Sequence, residues 1–268
     1  MPDPVAGVCR TYRAQRVMGG RCEEHELFTL VCAPDRPDVW DANFACDVRA
    51  TTPEEIGAVV DALEARVPDA VRVRRFFCDP LTPQPFAAAL CVRGFEREST
   101  VQMVLEDELR PRPGTRSPAV EVRRAESDAD WAAVADLTAL DMAESLAKKG
   151  HGPPEASFLR QFVGMRRAMS DAMHMWLAHH DGQDCGFVAS WSGVDGLGMV
   201  EWLFCHPAQR RRGIASALLA HGVADARRRG AGSVLIGASA GSDAVPRRLY
   251  ASLGFRPVCL TDEYTRFV

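Results

Sequence analysis

No two cysteines in this 268-residue sequence have the C-x-x-C spacing. The nine that occur, Cys9, Cys22, Cys32, Cys46, Cys78, Cys91, Cys185, Cys205 and Cys259, are scattered singly. An odd total without close pairs argues against a zinc site and against a disulfide framework. Among apolar neighbours such thiols act as small buried hydrophobes and favour a reducing compartment. Long hydrophobic runs are missing too. Nothing approaches the roughly 18 apolar residues that a membrane helix needs, and the opening MPDPVAGVCRTYRAQRV lacks the apolar core of a secretion signal. The expectation is a cytoplasmic protein with no membrane partner. Positive charge is not in excess either: 32 Lys and Arg stand against 36 Asp and Glu, a formal net charge of −4. The chain as a whole lacks the field that nucleic-acid binders carry, so any phosphate site must be local.

The sequence is otherwise ordinary, with 47% hydrophobic and 25% charged residues, the composition of a packed globular chain. One stretch interrupts it. LRPRPGTRSP, residues 109–118, combines prolines, glycine and arginine and can neither continue a helix nor sit inside a sheet. A linker is therefore expected at 111–118, between a domain at 1–110 and another at 119–268. After it, AVEVRRA reads as a strand, and Ser127 caps a helix in which Trp131, Val134 and Leu137 recur at helical spacing. A second helix and three strands joined by hairpin-like gaps, DGQD and VDG, come next. Helix and strand then alternate to the end, giving β-α-α-β-β-β-α-β-α-β. The fold class is α/β with a mixed, mostly antiparallel sheet. The first half carries a weaker echo of this order, from ANFACDV through TPEEIGAVVDALEARV to STVQMVLE, which suggests an imperfect duplication.

The most informative stretch is CHPAQRRRGIASALLAHG, residues 205–222. A strand that feeds straight into a helix through R-R-R-G-I-A presents free backbone N–H groups at the positive end of the helix dipole, an anion site. Glycine lets the anion approach, and arginine adds charge-assisted hydrogen bonds. A diphosphate fits so compact a cradle better than a polymer does.

These residues resemble the Q/R-x-x-G-x-G/A signature of the GNAT superfamily of acyl-CoA-dependent N-acetyltransferases, read here as Arg210, Arg211, Arg212, Gly213, Ile214 and Ala215. LYASLGF at 249–255 resembles the late helix of that family. The two motifs occur in the family's order and context, about 40 residues apart. The resemblance implies a tandem GNAT-like fold whose C-terminal half is catalytic, with acetyl-CoA or another acyl-CoA as co-substrate and no metal. It implies that Leu203, Phe204 and Cys205 offer a backbone edge to the pantetheine arm and that Arg210 through Ser216 wrap the pyrophosphate. The acceptor would be a primary amine on a small molecule or peptide. Tyr250 matches the tyrosine that protonates the departing thiolate. Glu201, in the strand leading to the cofactor edge, is the candidate base. Asp243 stands where the family often has asparagine.

Two other readings compete with this one: a non-catalytic acyl-CoA-binding or regulatory module, and nucleic-acid binding through the arginines, which the acidic balance and the lack of interleaved aromatics disfavour. At the matching place the first half has Glu54 and Glu55 at the helix start, no glycine turn, and Leu90 instead of the tyrosine. It is expected to be a degenerate, non-catalytic GNAT-like domain. Its most distinctive stretch, PDVWDAN, with Trp40, Asp41 and Asn43, is either a pocket wall or a capped loop around a tryptophan.

Overall fold

The structure, a computed structural model, describes residues 3–67, 71, 73–110, 120–150, 152–241 and 244–267. The linker expected at 111–118, and Asp243, lie outside the described residues. In chain order the elements are α1 (Pro4–Arg16), β1 (Arg21–Glu24), β2 (Thr29–Cys32), β3 (Phe44–Cys46), α2 (Pro53–Arg66), β4 (Val73–Cys78), α3 (Gln84–Val92) and β5 (Glu96–Leu105). Then follow β6 (Glu121–Arg124), α4 (Asp128–Lys148), α5 (Ala156–Ala168), β7 (His174–His180), β8 (Gln183–Val194) and β9 (Leu197–Cys205). The chain ends with α6 (Ile214–Arg228), β10 (Ser233–Ser239), α7 (Val245–Ser252) and β11 (Arg256–Phe267). From β6 onward this is the order read from the sequence. Among the described residues, no helix is long and apolar enough to cross a membrane.

Two compact units result, and they do not follow the chain. One comprises Met1–Met103 with Gly237–Ala251 and Arg256–Val268; the other comprises Val104–Ile236 with Ser252–Phe255. In the first, the strands run β1-β2-β3-β4-β11-β5. β11 pairs antiparallel with β4 from Asp262↔Cys78 to Phe267↔Val73, and Tyr264 enters the same core as Phe76, Phe86, Leu63 and Leu90. The C-terminal strand thus belongs to the sheet of the N-terminal residues. A boundary drawn at a proline-rich segment is blind to this, because strand pairing takes no account of distance along the chain. α2 starts with a capping box between Thr52 and Glu55, which satisfies orphan donors at both residues.

In the second unit the order is β10-β9-β8-β7-β6, antiparallel except for β9 and β10. Asp181-Gly182 and Asp195-Gly196, all four residues with positive φ, close the hairpins β7–β8 and β8–β9. Left-handed Asp-Gly pairs suit the twist of two-residue hairpin loops. α4 opens on a capping box of Ser127 and Asp130, as expected from Ser127. α6 buries Ile214, Leu218, Leu219 and Val223 against β8 and β9. At Gly222 a Cβ would lie 3.1 Å from Val200 Cγ1, so the bare backbone is what lets helix and sheet approach. Val200 therefore faces α6, and strand alternation turns Glu201 to the opposite face.

Candidate active site

The site begins with a change of partner along β9. Its parallel pairing with β10 covers Leu197 to Met199. Among the described residues the register stops there, while pairing with β8 continues to Cys205. Beyond Met199, among the described residues, β9 has no ladder to β10, and a strand edge without a neighbouring strand, here at Leu203 and Phe204, is a template for an extended chain.

The same strand carries a bulge. Phe187 pairs with Phe204 and Ala189 with Glu201, so the single residue Val188 faces both Trp202 and Leu203. Trp202 has φ +56°, a left-handed backbone that a bulky residue takes up only against a steric cost. A bulge releases peptide groups from the ladder and re-aims them, here on the strand whose other edge is open.

Beyond β9 the chain makes a 3-10 turn, Pro207–Gln209, and then reaches α6 through two left-handed residues, Arg211 at φ +68° and Gly213 at φ +85°. Gly213 is the N-cap of α6 and makes no side-chain cap. By contrast α1, α2 and α4 are capped by Asp3, Thr52 and Ser127. The first N–H groups of α6 thus keep their hydrogen-bonding capacity at the positive end of a 15-residue helix, and Gly213, Ala215 and Ser216 are partly exposed there.

The three arginines are not equivalent. Arg210 donates from Nε to the Cys205 carbonyl, 3.1 Å, and its guanidinium forks onto the Glu144 carboxylate of α4, with Nη1 3.0 Å from Oε1. Arg212 donates to Asp181 at 2.9 Å. Arg211 is exposed and, among the described residues, has no side-chain partner. So Arg210 tethers α4 to the turn, and the cradle offers backbone amides with one available cation. The Arg210 hydrogen bond, with Lys148 assisting and burial opposing, holds the Glu144 carboxyl down to about 2. A depressed carboxylate stabilises the fold above its ordinary value of 4.5 and loses that contribution as pH falls toward about 2. Glu144→Gln should therefore cost less than about 1 kcal/mol at neutral pH, since the pair is partly exposed. Its melting temperature should converge with that of the wild type in acid.

Residues 171–257 match the family described as Acetyltransferase (GNAT) domain. The matched stretch draws on both units, since Gly237–Ala251 belongs to the first. No curated protein matches the sequence. The fold as a whole is similar to a GCN5-related N-acetyltransferase from Kribbella flavida, at 16% identity over 99% of this chain and 96% of that one, TM-score 0.67. It is also similar to a protein of unknown function from Staphylococcus epidermidis, at 13% identity over 92% and 94%, TM-score 0.68. A tandem GNAT protein from the clavulanic acid biosynthesis pathway matches at 16% identity over 90% and 78%, TM-score 0.55. The fold is thus α/β and GNAT-like.

Within the matched stretch the predicted residues fall as follows. Leu203, Phe204 and Cys205 form the end of the open edge, and Arg210 through Ser216 form the turn and first helical residues. Glu201 lies half-buried beside the bulge on the face away from α6. Tyr250 is buried in α7 and belongs to the first unit, so the structure does not gather all the predicted residues into one unit. Sequence reasoning missed Trp202, Arg166 and Glu144. A bulge has no residue signature, and the partners of Arg166 and Glu144 are remote in the chain.

The first unit differs at the corresponding places. Glu55 folds back onto the N–H groups of Thr51 and Thr52, at 2.7 and 3.1 Å, so the start of α2 is occupied by the protein's own carboxylate. Leu90 is fully buried. PDVWDAN is a self-capped loop: Asn43 accepts from Ala33 N–H and donates to the Arg36 and Val39 carbonyls. Trp40 packs edge-on to Phe267.

Proposed function

We propose that this protein is an N-acetyltransferase, moving the acetyl group of acetyl-CoA to a primary amine of a small molecule or peptide by direct attack. The observation that carries the reading is continuity: the open edge of β9 runs through Cys205 into an uncapped helix start built on a left-handed glycine. In this proposal the backbone of Leu203, Phe204 and Cys205 pairs with the extended pantetheine arm, as an added strand would. The amides of Gly213, Ile214, Ala215 and Ser216 take the diphosphate, with Arg211 as the cation at hand. Arg210 and Arg212 contribute by holding the turn in shape. Glu201 receives the proton that the acceptor ammonium must lose, directly or through water, so that the amine nitrogen can bond to the acetyl carbon as the carbon–sulfur bond breaks.

Tyr250 is the proposed donor of a proton to the departing thiolate, an assignment that stands on the LYASLGF motif. Tyr250→Phe should lower kcat about 100-fold, the usual worth of one general acid, and leave acetyl-CoA affinity unchanged. Equal turnover in the variant would remove the role. The first unit is proposed to be a degenerate, non-catalytic GNAT-like domain; the occupied start of α2 supports this. The whole reading is tested by acetyl-CoA titration calorimetry together with thiol release against a panel of amines. Binding with amine-dependent release is expected. Binding without release from any amine would favour the non-catalytic module, and no binding would overturn both.

A further inference from the structure

The helix pair α4 and α5 holds, against Trp202 of β9, a buried cation that the proposed catalysis does not use. Arg166 lies on the core-facing side of α5, in the same buried set as Phe162, Val163 and Met165, and is only 4% exposed. Its guanidinium sits 4.4 Å from the Trp202 ring centroid, 4.3 Å from that of Phe162 and 5.4 Å from that of Phe187. One nitrogen donates to the Thr138 hydroxyl of α4 at 3.2 Å. Its charge also opposes the rise that burial imposes on the Asp141 carboxyl of α4, so the cost of burying it is offset from that helix. From there it presses a flat cation onto the ring of the one residue in β9 with a left-handed backbone, a contact between α4, α5 and the bulge that an apolar chain could not make.

We infer that Arg166 is a positioning residue for acetyl transfer: through the Trp202 ring it holds the bulge of β9, so that peptide N–H groups freed from the ladder point at the thioester carbonyl. The inference rests on the proposed function, since it needs acetyl-CoA along the open edge. Without the clamp, Trp202 can relax out of φ +56° and the peptide plane turns with it. A donor is useful only when it is pre-aimed at the oxygen that gains charge.

The test needs no knowledge of the acceptor. The infrared carbonyl band of [1-13C]acetyl-CoA is recorded free and bound to the full-length chain, and the affinity of plain CoA is measured alongside. In the wild type the band should move to lower frequency on binding. In Arg166→Met, which keeps the bulk, and Arg166→Lys, which keeps the charge, it should return to the solution position, with CoA affinity within about twofold and amine-dependent turnover down about 100-fold, as for a lost oxyanion donor. Thr138→Val, which removes only the tether, should fall between. An unshifted band in the wild type, or the wild-type shift in folded Arg166→Met, overturns the inference and leaves the acetyltransferase reading standing. If neither Arg166 variant folds, a wild-type band in Thr138→Val overturns it. Failure of the wild type to bind acetyl-CoA overturns the acetyltransferase reading itself.

Discussion

Saturating acetyl-CoA should raise the melting temperature of the wild-type chain by roughly 5–10 °C and that of Gly213→Asp not at all. A ligand at about 100 times its Kd stabilises the native state by about 2.7 kcal/mol, and a chain of this size gains a few degrees per kcal/mol. The variant places a carboxylate at the N-cap of α6, where Gly213 now leaves the first amides uncapped. Aspartate is a good N-cap and, with asparagine, among the non-glycine residues most tolerant of a left-handed backbone. It should occupy the amides itself and repel phosphate while costing the free protein little. The loss would then be specific to binding. Gly213→Ala separates the two effects: it carries the strain of φ +85°, about 1–2 kcal/mol, without the charge, and should still respond to acetyl-CoA. If Gly213→Asp keeps the wild-type response in thermal denaturation, the start of α6 is not the phosphate site.

Asp225→Ala should be the most damaging substitution away from the cradle, at about 3–5 kcal/mol, the usual cost of stranding a buried charge partner. Asp225, on α6, is 5% exposed. It accepts from Ser190 at 2.7 Å, lies 3.1 Å from His174 Nδ1, and takes Arg228 and Arg229 at 3.3 and 3.4 Å. Trp176 closes the cluster with a 2.8 Å bond to Ser190. Burial pushes the Asp225 carboxyl up, but the Ser190 hydrogen bond and the nearby His174 and Arg229 outweigh it and hold it below its ordinary range. Removing it leaves Arg229 beside His174, whose pKa is already lowered by burial and by that same arginine. Asp225→Asn should lose less, since it keeps an acceptor for Ser190. Urea denaturation is the check: the midpoint should fall with the slope unchanged. A cost under about 1 kcal/mol would mean that the cluster is loosely held.

Both expectations depend on α6, and the two ends of that helix show how unevenly the chain could be read. At its start the signals are local. Glycine between arginines and a small residue, just after a strand, implies an anion cradle because adjacent backbone atoms form it. Ser127 before α4 and the two Asp-Gly hairpins are legible for the same reason. At the other end, Arg227, Arg228 and Arg229 read only as cations suited to a helix C-terminus. The structure spends Arg229 on Asp225 and on the Ala172 carbonyl, and Arg227 on the Asp107 carbonyl and Glu108. Asp225 is in reach at i, i+4 on the same helix, but Ala172, Asp107 and Glu108 lie in loops remote in the chain, and periodicity carries no information about them.

The sequence by itself determined the element order from β6 onward and the start of α6 at Gly213, since both follow from contacts within a few residues. Tertiary structure alone decided three things: that β11 completes the sheet of the N-terminal unit, that β9 parts from β10 after Met199 and bulges at Trp202, and that Arg210 spends its charge on Glu144. Each is a meeting of segments distant in the chain, where strand registry and the burial of charge, not local propensity, select the partner.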